Sequence, residues 1–122
     1  MRTIIAGSRD FHSLPVLIEA IDSCGFEVSE VVSGRARGAD RIGEEWALRN
    51  DIPIIYHPAN WDKFGRSAGY IRNSEMAEDA EALIAIWDGR SHGTKNMIEV
   101  ARKKGLEVFV YEFSEEVLNG VR

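Results

Sequence analysis

The sequence predicts an α/β fold, a parallel β-sheet covered by helices on both faces. Three observations point there. Five short apolar runs, rich in β-branched residues, recur along the 122 residues. Stretches of helical periodicity alternate with them, which is the pattern of parallel strands joined by crossover helices. No linker, low-complexity segment or solenoid-length repeat interrupts the alternation, so residues 1–122 read as one domain.

"RTIIAG" (Arg2–Gly7) is a β-branched run ending in glycine and reads as a buried first strand. "SLPVLIEAIDSCG" follows as a helix, with Ser13 as cap, Pro15 in the first turn, Leu14, Leu17, Ile18 and Ile21 as its apolar stripe, and Gly25 as its stop. "EVSEVVS" (Glu27–Ser33) alternates and then turns apolar, as a second strand would. In "ADRIGEEWALRN", Asp40 is the expected cap, and Ile42, Trp46 and Ala47 face inward. "IPIIYH" (Ile52–His57) is the third strand. "FGRSAGYIRNSEMAEDA" has helical spacing, although Gly65 and Gly69 each cost about 1 kcal/mol against alanine in a helix interior. "EALIAIW" (Glu81–Trp87) is the fourth and most apolar strand, with Trp87 as core wall. "TKNMIEVARKKG" is a helix with Lys103 and Lys104 in its last turn, "EVFVYEF" the fifth strand, and "SEEVLNGVR" a short terminal helix or tail.

Composition narrows the class. Apolar residues make up 44% and charged residues 29%, as in ordinary soluble domains. No apolar run approaches the roughly 18 residues of a membrane span, and the apolar stretch of "MRTIIAGSRD" is too short for a secretory core. A single cysteine, Cys24, excludes an intramolecular disulfide and a cysteine-rich zinc site and is expected to be a small buried hydrophobe. A cytoplasmic protein without membrane association is the expectation. His12, His57 and His92 lack metal-ligand spacing, so no metal and no cofactor is predicted. Ser8 lacks the elbow of a serine hydrolase.

In a parallel sheet of this kind, ligands sit beyond the carboxyl ends of the strands, so the strand-to-helix loops form one surface. They read "GSRDFH", "SGRARGAD", "PANWDKFGRSAG" and "DGRSHGT". Two share a spacing, Gly34-x-x-x-Gly38 and Gly89-x-x-x-Gly93, each ahead of a helix start. Glycine admits backbone N–H groups close to an anion, and a helix N-terminus adds oriented donors and a partial positive charge. Together these loops are expected to cradle a phosphate from two sides. "DGRSHGTK" is not a P-loop: only three residues separate its glycines and Thr94 precedes Lys95, which argues against Mg-nucleotide hydrolysis.

Charge agrees. Residues 7–12, 33–41, 62–73 and 88–95 hold nine Lys or Arg and four acids, while the whole chain carries −5. A basic rim on an acidic body steers a small anion and argues against duplex nucleic acid. Gly65, Gly69, Arg72 and Met76 share one helix face, from which Arg72 would project a fork suited to phosphate or carboxylate; a surface ion pair with Glu75 or Glu78 is the alternative. Trp61 either stacks on a base or caps the core, and Asp40 either caps its helix or accepts from a ribose hydroxyl. Ser8 and Thr94 bring hydroxyls beside the glycines, as ligand contacts or as turn residues.

At "AGSRDF", "SGRARGAD", "AGYIRNSEMA" and "IAIWDGRSHGT" together, the chain resembles the SLOG superfamily of Rossmann-like nucleotide-ligand proteins, in its YspA-like branch of mostly small, phage-associated proteins. The resemblance runs from about Arg2 to Tyr111 and implies strand order 3-2-1-4-5, with the loops after strands one, two and four around a nucleotide-derived ligand. It also makes a homodimer plausible. Relatives of the lonely-guy (LOG) type remove the base from nucleoside monophosphates, using an arginine in an R-K-x-x-M pattern and a glutamate two residues after the loop threonine. "RNSEM" keeps Arg72 and Met76 but has Asn73 for the lysine, and the glutamate's position is Asn96. Glu99 is the nearest acid, one turn on. DprA-like relatives bind single-stranded DNA, against which the acidic body speaks.

The expected function is therefore binding of a nucleotide or nucleotide-derived phosphate ligand, as a sensor or ligand-binding module. Its expected contacts are Gly7, Ser8 and Arg9; Gly34, Arg37, Gly38, Ala39 and Asp40; Trp61; Arg72; and Asp88, Gly89, Ser91, Gly93 and Thr94. The enzymatic rival is a LOG-like phosphoribohydrolase in which Arg72 and Glu99, or Asp40, carry catalysis. The third reading is DprA-like single-strand binding through Trp61 and the basic rim.

Overall fold

Strand β1 (Arg2–Gly7) lies at the centre of a five-stranded sheet whose order is β3-β2-β1-β4-β5, as the resemblance implied. The computed structural model describes residues 1–114. Its other strands are β2 (Glu30–Ser33), β3 (Ile54–Tyr56), β4 (Ala82–Trp87) and β5 (Glu107–Glu112), and all four neighbouring pairs are parallel. The helices are α1 (Leu14–Ser23), α2 (Ala39–Arg49), α3 (Trp61–Phe64), α4 (Ala68–Glu78) and α5 (His92–Lys103), with a 3-10 turn at Gly65–Ser67. Of the tail expected over Ser114–Arg122, residues 115–122 lie outside the described residues.

Alternation along the central strands divides the core. Ile5, Val31, Ile84 and Ile86 point to the face covered by α1 and α2, where Leu17, Ala20 and Ala47 pack. Ile4, Ala6, Val32, Leu83 and Ala85 point to the face covered by α4 and α5, where Met76, Ala77, Met97 and Ala101 pack. Strands buried on both faces need continuous apolar runs, and β1 and β4 supply them. Trp87 is half-buried against the second cluster, and its indole Nε1 donates to the Ser91 carbonyl at 3.1 Å.

Several boundaries depart from the sequence expectation. β2 begins at Glu30, not Glu27; ahead of it, among the described residues, Glu27 and Ser29 bond only to the terminal Met1, and Phe26 and Val28 pack at the core edge. β3 is trimmed to Ile54–Tyr56, since Pro53 has no N–H to give the ladder. The expected single third helix is broken: Gly65 has φ +54°, ends α3 and starts the 3-10 turn, so it does not share the face of Gly69, Arg72 and Met76. α5 starts two residues early, at His92, because the Ser91 hydroxyl caps it by accepting from the Thr94 amide at 3.4 Å. Asp40 is not the cap of α2. That place belongs to Gly38, and Asp40 lies in the first turn.

Candidate functional site

β1 connects outward to β2 on one side, whereas α4 carries the chain back across to β4 on the other. The carboxyl ends of β1 and β4 therefore form the switch point, where Gly7 is paired with Ile86. A Cβ on Gly7 would meet the Ile86 carbonyl oxygen, so glycine lets the strand end run close to its neighbour. Ser8 then ties three loops together. Its amide donates to Ile86 O (3.0 Å), its carbonyl accepts from Ala39 N (3.1 Å), and its hydroxyl accepts from Asp88 N (3.2 Å). Such a residue, 3% exposed, is a fixed part of the floor.

Beyond this floor lies a cleft of about 440 Å³. Gly7, Ser8 and Arg9 line it from the first loop, Arg37 and Asp40 from the second, and Trp61 and Arg72 from the α3–α4 segment. Asp88, Ser91, Gly93 and Thr94 close it from the fourth loop and the start of α5. Gly34 borders an adjoining cavity instead. Gly38, Ala39 and Gly89 stand behind the walls: Gly38 (φ +82°) packs on the Ser8 and Arg9 backbone, and Gly89 (φ +81°) against the Glu112 carboxylate. Glu99 is not brought to the cleft; its exposed carboxylate lies 3.9 Å from Lys95.

The two glycine loops are thus alike in spacing but not in structure. In the second loop the later glycine, Gly38, takes the left-handed φ; in the fourth the earlier one, Gly89, does. Gly93 is helical, and a Cβ there would enter open space. Asp40 occupies the first turn of α2, whereas the first turn of α5 has no acid.

Arg72 is half-buried and makes no ion pair with Glu75 or Glu78. Its Nη1 donates to the Gly34 carbonyl (2.7 Å) and its Nε to Asn73 Oδ1 (3.1 Å), while Nη2 bonds to none of the described residues. The bare Cα of Gly34 permits this approach, since a Cβ would come within 2.6 Å of Nη1. Asp40 is 4% exposed and accepts from the Ala36 amide at 3.2 Å. Burial pushes its carboxyl up to about 6; Arg72 and the Ala36 amide pull down, Glu44 adds to the rise, and the Gly7 amide pulls down. Burial likewise lowers Arg72, with Asp40 opposing and Arg9 assisting. Burial also raises Asp88, but the Ser91 and Arg90 amides and the Ser8 hydroxyl outweigh it, and the carboxyl sits below its ordinary range.

Ala6, Asp10, Ala36, Arg66, Gly69, Tyr70, Asn73, Met76 and Met97 also line the cleft, none of them among the contacts expected from the sequence. Asn73 is the most telling. It is buried, and its amide donates to Asn96 Oδ1 (2.9 Å) and the Gly93 carbonyl (3.3 Å), joining α4 to α5. A signal existed: Asn73, Met76 and Ala77 share the inward face of α4, and a polar residue at such a position demands a partner.

Comparison with known proteins shows the family. The profile of the YAcAr family, described as the "YspA, cpYpsA-related SLOG family", matches residues 1–64. The chain belongs to this family. It is 39% identical over 84 residues to the "Gene 61 protein" of Mycobacterium phage D29, an alignment covering 64% of this chain and 67% of the phage protein. No solved structure matches. The profile match ends at Phe64, so the second half of the cleft, with Arg72, Asn73 and the start of α5, lies beyond it in this SLOG protein.

Proposed function

We propose that this SLOG-family chain binds a nucleotide or nucleotide-derived phosphate ligand in the cleft, as a sensor or ligand-binding module. One observation carries the reading: Arg72 is held by Gly34 and Asn73 in the cleft wall with Nη2 left unbonded among the described residues. A guanidinium fixed in this way is a ready donor to phosphate, with little rotamer freedom left to lose. The phosphate would rest at the N-terminus of α5, whose first turn carries no acid, near Gly93 and Thr94. Asp88, just ahead of α5, already takes the Arg90 and Ser91 amides, so the phosphate would meet the amides of His92 and Gly93 beyond them. Trp61, 51% exposed, and Tyr70, 48% exposed, offer faces on which a base would stack.

The phosphoribohydrolase reading retains one supporting feature. Asp40, raised to about 6 in the cleft, is poised near neutrality as a general acid or base. Against turnover, the position where LOG-like relatives carry the glutamate is Asn96, whose side chain is held by Asn73.

A thermal-shift screen against nucleoside monophosphates, ADP-ribose, NAD and cyclic nucleotides, with chromatography of each mixture, tests both. Ligand at 100 times its dissociation constant adds about 2.7 kcal/mol, several degrees for a domain of this size. Stabilisation with intact ligand is expected, and Arg72→Ala should abolish it. Free base released in an Arg72-dependent way would establish the hydrolase instead. Unchanged ligand affinity in Arg72→Ala would remove Arg72 from the site under either reading.

A further inference from the structure

A second cavity, of about 390 Å³, adjoins the cleft and shares Arg9, Ala36, Arg37, Trp61 and Arg72 with it. Its remaining walls are Gly34, Arg35, Pro58 and Ala59. Four guanidinium groups and no carboxylate line it. Among the described residues, Arg9 and Arg37 have no acidic partner within salt-bridge distance, and both stand on the shared wall. Two uncompensated guanidinium groups therefore stand where the two cavities meet.

Arg35 is built into this place. Its φ of +63° is a conformation that side-chain-bearing residues seldom adopt and that persists only when the surroundings enforce it. The Ser33 hydroxyl accepts from its amide (3.2 Å) and donates to buried Glu44 (2.6 Å), whose other oxygen lies 3.5 Å from Arg35 Nη1. The guanidinium also sits 4.9 Å from the centre of the Tyr56 ring. Backbone, carboxylate and aromatic face thus fix one cation at the wall of the second cavity. Residues held in such conformations by redundant contacts cluster at ligand clamps and other functional places.

We infer that the two cavities form one bipartite site for a phosphate-linked dinucleotide. The inference rests on the nucleotide-binding reading and extends it. One nucleoside phosphate occupies the cleft beneath Trp61, and the linking phosphate or pyrophosphate lies at Arg9 and Arg37. The second nucleoside enters the other cavity, with its anionic or hydroxyl groups toward Arg35. Each cavity falls at the low end of the roughly 300–1,000 Å³ range of ligand pockets, room for one nucleotide-sized half.

Calorimetric titration of the intact chain with AMP, GMP, CMP and UMP, the 5′-phosphorylated dinucleotides pApA and pGpG, and NAD tests this. At least one dinucleotide should bind about tenfold or more tightly than its monophosphate, the worth of one added charge-assisted hydrogen bond. Ala59→Trp, which fills the second cavity, and Arg35→Gln should each bring that dinucleotide to within about threefold of the monophosphate. Monophosphate affinity should stay unchanged in both variants, which also verifies that they fold. Monophosphate binding with no dinucleotide gain would overturn the bipartite site and leave the nucleotide reading standing, as would a gain that both variants preserve. No binding of any probe would remove the nucleotide reading and the bipartite site with it. A longer single strand binding far more tightly than pApA would overturn the small-ligand class in favour of nucleic acid.

Discussion

Gly38 and Gly93 look interchangeable in the sequence, each closing a Gly-x-x-x-Gly, and the structure asks opposite things of them. Gly38 holds φ +82° with its Cα against the Ser8 and Arg9 backbone, so Gly38→Ala should cost about 1–3 kcal/mol in strain alone, with more from the clash. Gly93→Ala, in a helical turn facing open space, should be neutral or stabilising by up to about 1 kcal/mol. Denaturant unfolding of the pair checks both, and equal destabilisation would contradict the assigned backbone roles. Asp40 gives a second prediction. Its carboxyl is raised from 3.8 to about 6, so the folded state binds more protons than the unfolded state between those values. Stability from this group is complete below about 3.8 and lost as pH rises through about 6, a swing of about 3 kcal/mol at most. Asp88, held below its ordinary range, works the other way and loses its contribution only in more acidic solution. Unfolding from pH 4 to 7 should therefore show a falling component in the native chain that Asp40→Asn removes.

Elements were legible where burial on both faces and pairing coincide, and blurred where they part. β1 and β4 are apolar because they are central, and their bounds match the sequence to within one residue. Phe26 and Val28 are apolar to pack at the core edge, and Pro53 continues an apolar run but can only accept in the ladder, its carbonyl taking the Val31 amide. Helical spacing across Gly65 is real on either side but hides a change of direction that only the left-handed φ reveals. The site was legible as far as loops reach, because glycine, arginine and hydroxyl residues cluster after strands. The contribution of helix interiors was not, since Asn73 and Met97 look like ordinary helix residues until α4 and α5 are placed side by side. That placement carries its own prediction. Asn73→Leu deletes the bonds to Asn96, Gly93 and Arg72 and leaves their polar groups without partners. A loss of about 1–3 kcal/mol, read as a melting point several degrees lower, is expected, together with weaker ligand binding through the loosened Arg72. A melting point equal to the native chain's would mean that the α4–α5 contact is held by apolar packing alone.

At the scale of the whole molecule, charge decides what size of anion the chain can hold. The four loop segments carry a surplus of five positive charges, and the rest of the sequence has ten more acids than bases. A nucleotide seated in the cleft would meet the near field of Arg9, Arg37, Arg66 and Arg72, offset in part by Asp10, Asp40 and Asp88, and little of the acidic body, because ions in solution screen charges beyond about 8–10 Å. A long oligonucleotide would leave that basic edge and run over the acidic body, gaining few phosphate contacts. Polyanion binding through many contacts weakens by orders of magnitude between low and physiological salt, since each neutralised phosphate releases bound counterions. Binding of a small ligand by two or three guanidinium groups should weaken by less than about tenfold over the same range, because only screening and no counterion release acts on it. Titrating one nucleotide and one long single strand at both salt concentrations separates these regimes. The expected result is a shallow dependence for the nucleotide and no tighter binding of the strand. A steep dependence with tighter binding of the strand would mean that the rim, and not the cleft, is the working surface of the molecule.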